Sequence, residues 1–138
     1  MKLLLENWRK YLSEDEMDAS SRIRKAAKFL QEDDPDWFKG GCADVSIVLQ
    51  MAAKEAGIDG VRVVSGRARS VPDRPTVRHA WLEVDGKRVD PTWEILLNGE
   101  QGVFYEEESG SFNCFGAEEE DLEWKVEELV PILSGGDR

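Results

Sequence analysis

The stretch that decides the fold is residues 40–57, which read GGCADVSIVLQMAAKEAG. Apolar side chains between Cys42 and Ala56 cover most of the circumference of a helix instead of one stripe, which is typical of a helix enclosed by its neighbours. Gly57 supplies a helix stop. We therefore predict a buried central helix that begins at Cys42, directly after two glycines.

Beyond the central helix the apolar period changes from helical to alternating, which indicates strands. Residues 60–68 predict one strand, and residues 79–84 and 87–90 predict the two arms of a hairpin. The arms are joined by Asp85-Gly86, a pair typical of two-residue hairpin turns. Pro91 ends the second arm because proline has no N–H to donate to a ladder. The sequence thus predicts an antiparallel sheet beside the central helix.

Apolar residues at helical spacing predict further helices on both sides of this core. One covers residues 3–13, a second starts at Ser20 or Ser21 and runs to Gln31, and a third covers residues 117–133. Two connecting segments carry no such spacing. Residues 37–41 predict a loop, and residues 94–116 predict one more strand pair or a packed loop.

Length and charge narrow the class of protein. A chain of 138 residues allows one domain with a sizeable core. With 29 acidic and 18 basic side chains, the formal net charge is −11 at pH 7. That charge argues against a protein that binds duplex nucleic acid through its phosphates. No run of sequence approaches the ~20 apolar residues that span a bilayer, so we expect no membrane partner.

The N-terminus and the cysteines bear on the cellular compartment and on metals. The leucines at residues 3–5 end at Glu6, short of the ~7–15 apolar residues of an export signal, so we expect a cytoplasmic protein without a signal peptide. Cys42 and Cys114 supply neither a disulfide framework nor a four-ligand zinc site, and we expect free thiols, no metal and no cofactor. The acidic residues 118–121 suit a helix N-terminus better than a calcium site.

Cys42 is a candidate nucleophile because of its place in the chain. A thiol in the first turn of a helix lies at the positive end of the helix dipole, which lowers its pKa and favours the thiolate. The preceding glycines allow a substrate to approach closely, and the free N–H groups of the helix start can hold an oxyanion. The alternative interpretation of Cys42 is a small buried cysteine after a flexible loop.

His79 is the only histidine in the chain, and the hairpin register gives it a carboxylate partner. A two-residue turn pairs Trp81 with Asp90, so that His79 lies opposite Thr92 and Asp90 is its diagonal neighbour on the same face. An aspartate in that place can orient an imidazole and stabilise its charged form. Glu83 shares the face but lies four residues along the strand, ~13 Å from His79. The alternative interpretation of His79 is a structural histidine.

Three blocks of the sequence resemble one family, and they occur in that family's order. They are Gly40-Gly41-Cys42-Ala43-Asp44, residues 79–84 (HAWLEV) and Val89-Asp90-Pro91-Thr92-Trp93. A Gly-x-Cys helix start, a His-Ala-Trp strand and an Asp-Pro-Thr strand end are typical of the transglutaminase-like superfamily of cysteine enzymes. The resemblance covers about residues 37–93 and implies a papain-like fold with acyl-transfer chemistry at amide bonds.

The resemblance assigns roles to three residues. It implies that Cys42 is the nucleophile, His79 the base and Asp90 the orienting acid. These 138 residues do not include the flanking domains of the large calcium-dependent cross-linking enzymes, so the resemblance does not lead us to expect protein cross-linking. We expect thiol-dependent hydrolysis or acyl transfer at an amide bond, on a peptide, a protein or a small amide. The alternatives are a non-catalytic binding module on the same fold and an acyltransferase that uses a thioester donor.

Four more residues are weaker candidates for this site. The Trp37 indole N–H is a candidate second oxyanion donor beside the Cys42 N–H, although a core or lid aromatic is the better interpretation of Trp37. Gly41, Trp81 and Thr92 are candidates for lying near the substrate, and packing is the better interpretation of Trp81.

The expected architecture is one α+β domain over residues 1–138 with a papain-like, transglutaminase-like core. N-terminal helices occupy residues 1–34, the catalytic core occupies residues 35–93, and a variable region with a C-terminal helix occupies residues 94–138. In this arrangement the central helix that carries Cys42 packs on an antiparallel sheet that carries His79 and Asp90.

Overall fold

A computed structural model describes residues 18–108 and 119–134 of the chain. Its elements in chain order are α1 (Ala19–Asp33), α2 (Pro35–Gly40), α3 (Cys42–Glu55), β1 (Val61–Arg69), β2 (Val77–Val84), β3 (Lys87–Val89), α4 (Pro91–Leu96), β4 (Phe104–Glu107) and α5 (Glu119–Leu133). The predicted α+β class is confirmed. The predicted helix at residues 3–13 and Cys114 lie outside the described residues.

The described strands form one antiparallel sheet of four strands in the order β3-β2-β1-β4. The predicted hairpin register is confirmed, since Val84 pairs with Lys87 and Leu82 with Val89. Asp85 and Gly86 form the two-residue turn with φ angles of 52° and 81°. Positive φ at both positions is what a type I′ turn requires, and it explains why this residue pair fixes the register.

The second arm of the hairpin is shorter than the sequence predicts. The β2–β3 ladder stops at the pair Leu82 and Val89, so Thr92 does not continue it opposite His79. Instead Asp90 becomes the N-cap of α4, where its side chain accepts a hydrogen bond from the Trp93 N–H, and Pro91 takes the first helical position. An aspartate followed by a proline is well suited to start a helix, and this local preference ends the strand.

The two sides of the sheet differ in what covers them. The helix-facing side carries Leu82, Val84 and Val89, which pack in the main core against α1, α3 and α5. The opposite side, here termed the aromatic side, carries a second cluster. That cluster consists of Val64, Ala68 and Trp81 with the partly buried Trp93 and Tyr105. Directly paired residues share a side, so Ser65, Arg67, Arg78 and Ala80 belong to the helix-facing side, and Gly66 and His79 to the aromatic side.

The first two described helices begin differently from the prediction. Asp18 caps α1 by accepting a hydrogen bond from the Ser21 N–H at 2.8 Å, so the helix begins ahead of the predicted serine cap. Residues 37–41 were expected to form a loop, but Pro35–Gly40 is a short helix. Asp34 caps that helix from its side chain, and Pro35 starts it.

The central and C-terminal helices confirm the predicted pattern. Along α3 the buried positions lie on most sides of the helix, and Gly57 follows its end with a φ of 83°. In α5 the residues Leu122, Val126, Leu129 and Leu133 are buried, each at 4% exposure or less. Within the described ranges, no helix combines the length and apolar character needed to cross a membrane.

Candidate active site

Cys42 is the first residue of α3, where the chain turns from α2 into the buried helix. The turn depends on Gly41, since a Cβ at this residue would lie 2.9 Å from the backbone oxygen of Trp37. Gly41 is also the N-cap of α3 and offers no side-chain cap, so it satisfies none of the N–H groups that a helix start leaves without intrahelical partners. Cys42 is half-buried, and its thiol is free.

His79 and Asp90 form a buried pair on the aromatic side of the sheet. His79 Nε2 lies 2.7 Å from Asp90 Oδ2, and the two residues are 2% and 0% exposed. The ring of Trp93 stacks on the imidazole with a centroid distance of 3.9 Å and an angle of 15° between the planes. The histidine ring is therefore fixed by a carboxylate at one nitrogen and by an indole against its face.

Cys42 interacts with the same imidazole. Because Asp90 occupies Nε2, the ring nitrogen left for Cys42 is Nδ1. Burial by itself would raise the pKa of the Cys42 thiol, but contacts with His79 and with the Ala80 N–H outweigh burial and lower it. Burial by itself would lower the pKa of His79, but contacts with Asp90 and Cys42 outweigh burial and raise it to about 9. Both shifts favour a thiolate beside an imidazolium near neutral pH.

The N–H of Ala80, which helps to lower the pKa of the Cys42 thiol, is available because β3 is short. Val84 and Lys87 flank a two-residue turn and exchange backbone hydrogen bonds, so alternate residues of β2 point their N–H groups toward β3. Ala80 is one of these residues, but the ladder has already ended at Val89. The residues between them point their N–H groups the other way: the N–H of Asp85, for example, bonds to Gly60 O at 3.0 Å, on the β1 side. The free N–H of Ala80 thus points past the end of β3, where Cys42 lies.

Asp90 accepts hydrogen bonds from three other groups besides its contact with His79. Its Oδ1 accepts hydrogen bonds from Thr92 Oγ1 at 3.2 Å and from the Trp93 N–H at 3.3 Å. Its Oδ2 accepts a hydrogen bond from the Tyr105 hydroxyl at 2.6 Å in addition to the bond with His79. Hydrogen-bond donors thus reach both oxygens of a carboxylate that is 0% exposed.

Tyr105 is a member of this cluster that sequence analysis missed. It comes from the edge strand β4, and its hydroxyl accepts a hydrogen bond from the Gly102 N–H at 2.7 Å while donating to Asp90. Arg88 lies 3.9 Å from the centre of its ring. Burial and the negative charge of Asp90 raise the pKa of the Tyr105 hydroxyl, so Tyr105 keeps its proton and remains a donor. The aromatic residues of segment 94–116 predict a strand pair or a packed loop, but nothing in their pattern assigns Tyr105 to the site.

The weaker candidates differ in what their side chains contact. Thr92 is 2% exposed and bonds to Asp90, and Trp81 is 3% exposed with its ring in a T-shaped arrangement with that of Tyr105. Trp37 lies in α2, and Lys125 Nζ of α5 is 4.4 Å from its ring centre. Glu83 is on the same side of the sheet as His79, but it pairs with Arg62 at 3.0 Å.

No protein-family model, no curated protein and no solved structure matches this chain. The chemical interpretation of the site therefore depends on its own geometry and on the sequence blocks that surround Cys42, His79 and Asp90.

Proposed function

We propose that this protein is a cysteine hydrolase or acyltransferase of transglutaminase-like type that acts on amide bonds through Cys42, His79 and Asp90. The observation that carries the proposal is the imidazole of His79, which has Asp90 Oδ2 at 2.7 Å from Nε2 and lies close enough to Cys42 that each raises or lowers the pKa of the other. An activated cysteine nucleophile has this arrangement, in which the thiol contacts an imidazole and the imidazole contacts a buried carboxylate.

The first half of the reaction forms a thioester. The thiolate of Cys42 attacks the carbonyl carbon of the amide, a C–S bond forms, and the oxygen takes up the electron pair of the C=O bond. The N–H of Cys42 at the start of α3 is placed to stabilise this oxyanion. The His79 imidazolium gives its proton to the leaving nitrogen, and the C–N bond breaks to release an amine.

The second half of the reaction regenerates the thiolate. Neutral His79 takes a proton from an incoming water or amine, whose oxygen or nitrogen attacks the thioester carbon. The C–S bond breaks, the sulfur leaves as a thiolate, and the product is an acid or a new amide. Asp90 keeps the imidazole in one orientation throughout and stabilises its positive charge.

The proposal can be tested with a panel of peptide p-nitroanilides, which are amides with a chromogenic leaving group. We expect released nitroaniline together with an acyl adduct that mass spectrometry maps to Cys42 and that hydroxylamine removes. Added methylamine would give an N-methylamide product if the acyl group is transferred as well as hydrolysed. Cys42→Ala is the matched control, because it removes one sulfur atom from a half-buried position.

Two results would contradict the proposal. The first is the absence of a Cys42 adduct across the panel together with an iodoacetamide reactivity of Cys42 equal to that of Cys114. The second is turnover that persists in Cys42→Ala. The first of these results would favour the alternative of a non-catalytic binding module on the same fold.

A further inference from the structure

We propose that Tyr105 is a positioning residue of the reaction: its hydroxyl shares Asp90 Oδ2 with His79 and so limits how firmly the carboxylate stabilises the imidazolium. An imidazolium that is held less firmly releases its Nδ1 proton to the leaving nitrogen more readily. This inference deepens the proposed function and rests on it for the effect on turnover. The sharing of the oxygen itself can be measured on the protein without a substrate.

Two donors from different strands reach the same oxygen of Asp90. The Tyr105 hydroxyl of β4 lies 2.6 Å from Oδ2, and His79 Nε2 of β2 lies 2.7 Å from it. A donor that stabilises the negative charge of a carboxylate makes that carboxylate a weaker partner for any other donor. The hydroxyl therefore reduces the stabilisation that Asp90 gives to the imidazolium.

The direction of the hydrogen bond from Tyr105 is fixed by Gly102. The Gly102 N–H donates to the hydroxyl oxygen at 2.7 Å, and a main-chain N–H cannot accept a hydrogen bond. The single proton of the hydroxyl is thus left for Asp90 Oδ2. Burial and the charge of Asp90 raise the pKa of the Tyr105 hydroxyl, so this proton stays in place while His79 titrates.

Gly102 reaches the tyrosine because its main chain is tightly enclosed. A Cβ at residue 102 would lie 2.5 Å from the ring of Trp93 and 2.7 Å from the backbone oxygen of Arg69. The N–H of Val103 donates to that same Arg69 oxygen at 2.9 Å. The connection between α4 and β4 is therefore held between an indole and the end of β1, in the place where its N–H meets the Tyr105 hydroxyl.

Strand β3 holds the tyrosine through Arg88. Arg88 Nε donates to Gln101 Oε1 at 2.9 Å, and Gln101 Nε2 donates to the Arg88 backbone oxygen at 3.3 Å. The guanidinium fixed in this way lies 3.9 Å from the centre of the Tyr105 ring, where a cation is attracted by the π-system. Its charge partly offsets the effect of burial and of Asp90 on the pKa of Tyr105, which favours donation by the hydroxyl.

The remaining charged residues of the described strands on the aromatic side are bound to each other. Arg62 lies 3.0 Å from Glu83 and 2.9 Å from Glu107. Their charges therefore compensate one another. Among these strands, Arg88 is the charged residue that faces the tyrosine.

The helices add two more groups that bear on the imidazole. Against the effect of burial, Asp90 and Cys42 raise the pKa of His79 to about 9. Glu94 of α4 accepts a hydrogen bond from the Asp90 N–H at 3.3 Å, but its charge is paired with Arg24 at 2.7 Å. Removal of the tyrosine hydroxyl alters none of these groups, so its effect on the imidazole passes through the shared oxygen.

The test is the pKa of His79, measured by NMR of the only imidazole in the chain. Tyr105→Phe removes one oxygen atom and leaves Asp90 Oδ2 to the imidazole alone. We expect the imidazole to bind its proton about threefold more tightly or more, which is measured as a higher pKa. The alkaline limb of p-nitroanilide turnover should move to higher pH by the same amount.

Thr92→Val is the matched control for Tyr105→Phe. Thr92 donates to Asp90 at Oδ1, the oxygen that does not contact His79, and valine has nearly the same shape as threonine. We expect a smaller rise in the pKa of His79 than in Tyr105→Phe. An equal rise would overturn the proposal, since it would show that any donor to the carboxylate has this effect.

A second variant keeps the hydroxyl, because Tyr105→Phe also leaves the Gly102 N–H without its acceptor. 3-Fluorotyrosine at residue 105, introduced by genetic-code expansion, retains the oxygen and makes it a stronger donor. We expect the pKa of His79 to fall in this protein, in the direction opposite to Tyr105→Phe. A pKa that stays the same or rises would overturn the proposal, even if Tyr105→Phe does not fold.

The outcomes separate the two proposals. An unchanged pKa of His79 in Tyr105→Phe overturns the role of Tyr105 and leaves the proposed function intact, because the contacts of His79 with Cys42 and Asp90 remain. Shifted pKa values without turnover and without a Cys42 adduct in the unsubstituted protein support the shared oxygen and contradict the proposed function.

Discussion

At the scale of single residues, Asp90 holds the site together because both of its carboxylate oxygens accept hydrogen bonds. We expect Asp90→Asn to reduce turnover of the p-nitroanilide panel by about 10²–10⁴-fold while the protein stays folded. The reason is that an amide has no charge to stabilise the imidazolium and can donate to His79 Nε2 in the wrong direction. Turnover and the circular dichroism spectrum measure the two effects.

Glu83→Gln is the matched control for Asp90→Asn. Glu83 is also a carboxylate on the aromatic side of the sheet, but it pairs with the exposed Arg62. Its removal should leave turnover within about twofold of the original, since surface ion pairs contribute little. Loss of activity in Glu83→Gln with activity retained in Asp90→Asn would overturn the role of Asp90.

The pH dependence of stability follows from the shifted pKa values of His79 and Cys42. His79, with a pKa raised to about 9, gives stability that is complete below about 6.5, its unfolded value, and is lost as the pH rises through 9. Cys42 has a lowered pKa, so its contribution is complete above its unfolded pKa and is lost as the pH falls through its folded value. Above the folded pKa of Cys42 and below about pH 9, the two contributions change with pH in opposite directions.

We therefore expect the unfolding free energy of the protein to fall less steeply with rising pH below about 9 than it does when the thiol is absent. In Cys42→Ser the contribution of His79 and Asp90 stands alone, and stability should fall as the pH rises through the pKa of His79. Urea unfolding at a series of pH values measures both curves. NMR of the only imidazole in the chain locates the pKa directly. Parallel curves for the two proteins would contradict the thiolate–imidazolium pair.

The contact between His79 and Asp90 could be predicted at this scale because a two-residue turn fixes which residues face each other. The contacts of Tyr105 could not be predicted, since they depend on β4 pairing with β1 across a connection of irregular sequence. The sequence does not predict the Ala80 N–H as a donor either, because its availability depends on where β3 stops and not on the identity of residue 80.

At the scale of elements, the start of α3 depends on the close packing of Gly41 on α2. We expect Gly41→Ala to slow the alkylation of Cys42 by iodoacetamide, because a Cβ 2.9 Å from the Trp37 oxygen forces the helix start to move. The same substitution should lower the unfolding free energy by about 1–3 kcal/mol. Alkylation rates and urea unfolding give the two values.

Ala56→Gly serves as the control for Gly41→Ala. It lies at the C-cap of α3 and lowers stability by up to about 1 kcal/mol without changing the helix start. If Ala56→Gly slowed alkylation as much as Gly41→Ala, the effect would come from general loosening of α3 and not from the position of Cys42.

The two short helices show which local signal sequence analysis overlooked. α2 and α4 both begin with the same pair of residues, Asp34-Pro35 and Asp90-Pro91, with the aspartate as N-cap and the proline at the first helical position. From the sequence, Pro91 is predicted only as the end of the preceding strand. It also starts the next element, because its fixed φ suits the first turn of a helix.

At the scale of the whole molecule, α5 closes the main core against α1 and α3. Leu129 is fully buried there, and we expect Leu129→Ala to lower the unfolding free energy by about 2–5 kcal/mol. Below the unfolding transition, the alkylation rate of Cys42 should stay near its original value, since the substitution leaves the side chains that hold His79 and Asp90 unchanged. The exposed neighbour substitution Glu128→Ala is the control and should change stability by less than about 0.5 kcal/mol.

The general architecture was accessible from the sequence because three strong signals agree. These are the apolar circumference of α3, the alternating pattern of the hairpin and the apolar stripe of α5, all of which the structure confirms. The position of β4 beside β1 was not accessible, because long-range pairing of a four-residue strand leaves no local pattern. The aromatic side of the sheet was therefore incomplete in the sequence-based prediction.

Because β3 is short, one hydrogen-bond donor of this site is a main-chain group that saturation mutagenesis would not detect. The donor that the sheet offers to the Cys42 sulfur belongs to the main chain, so every substitution at Ala80 except proline keeps it. Functional scores at that position would report only the volume of the side chain in a 1% exposed environment. A backbone ester at residue 80, introduced by chemical ligation, is the replacement that would reveal the donor, and Pro91 would score as sensitive although it contributes no reacting atom.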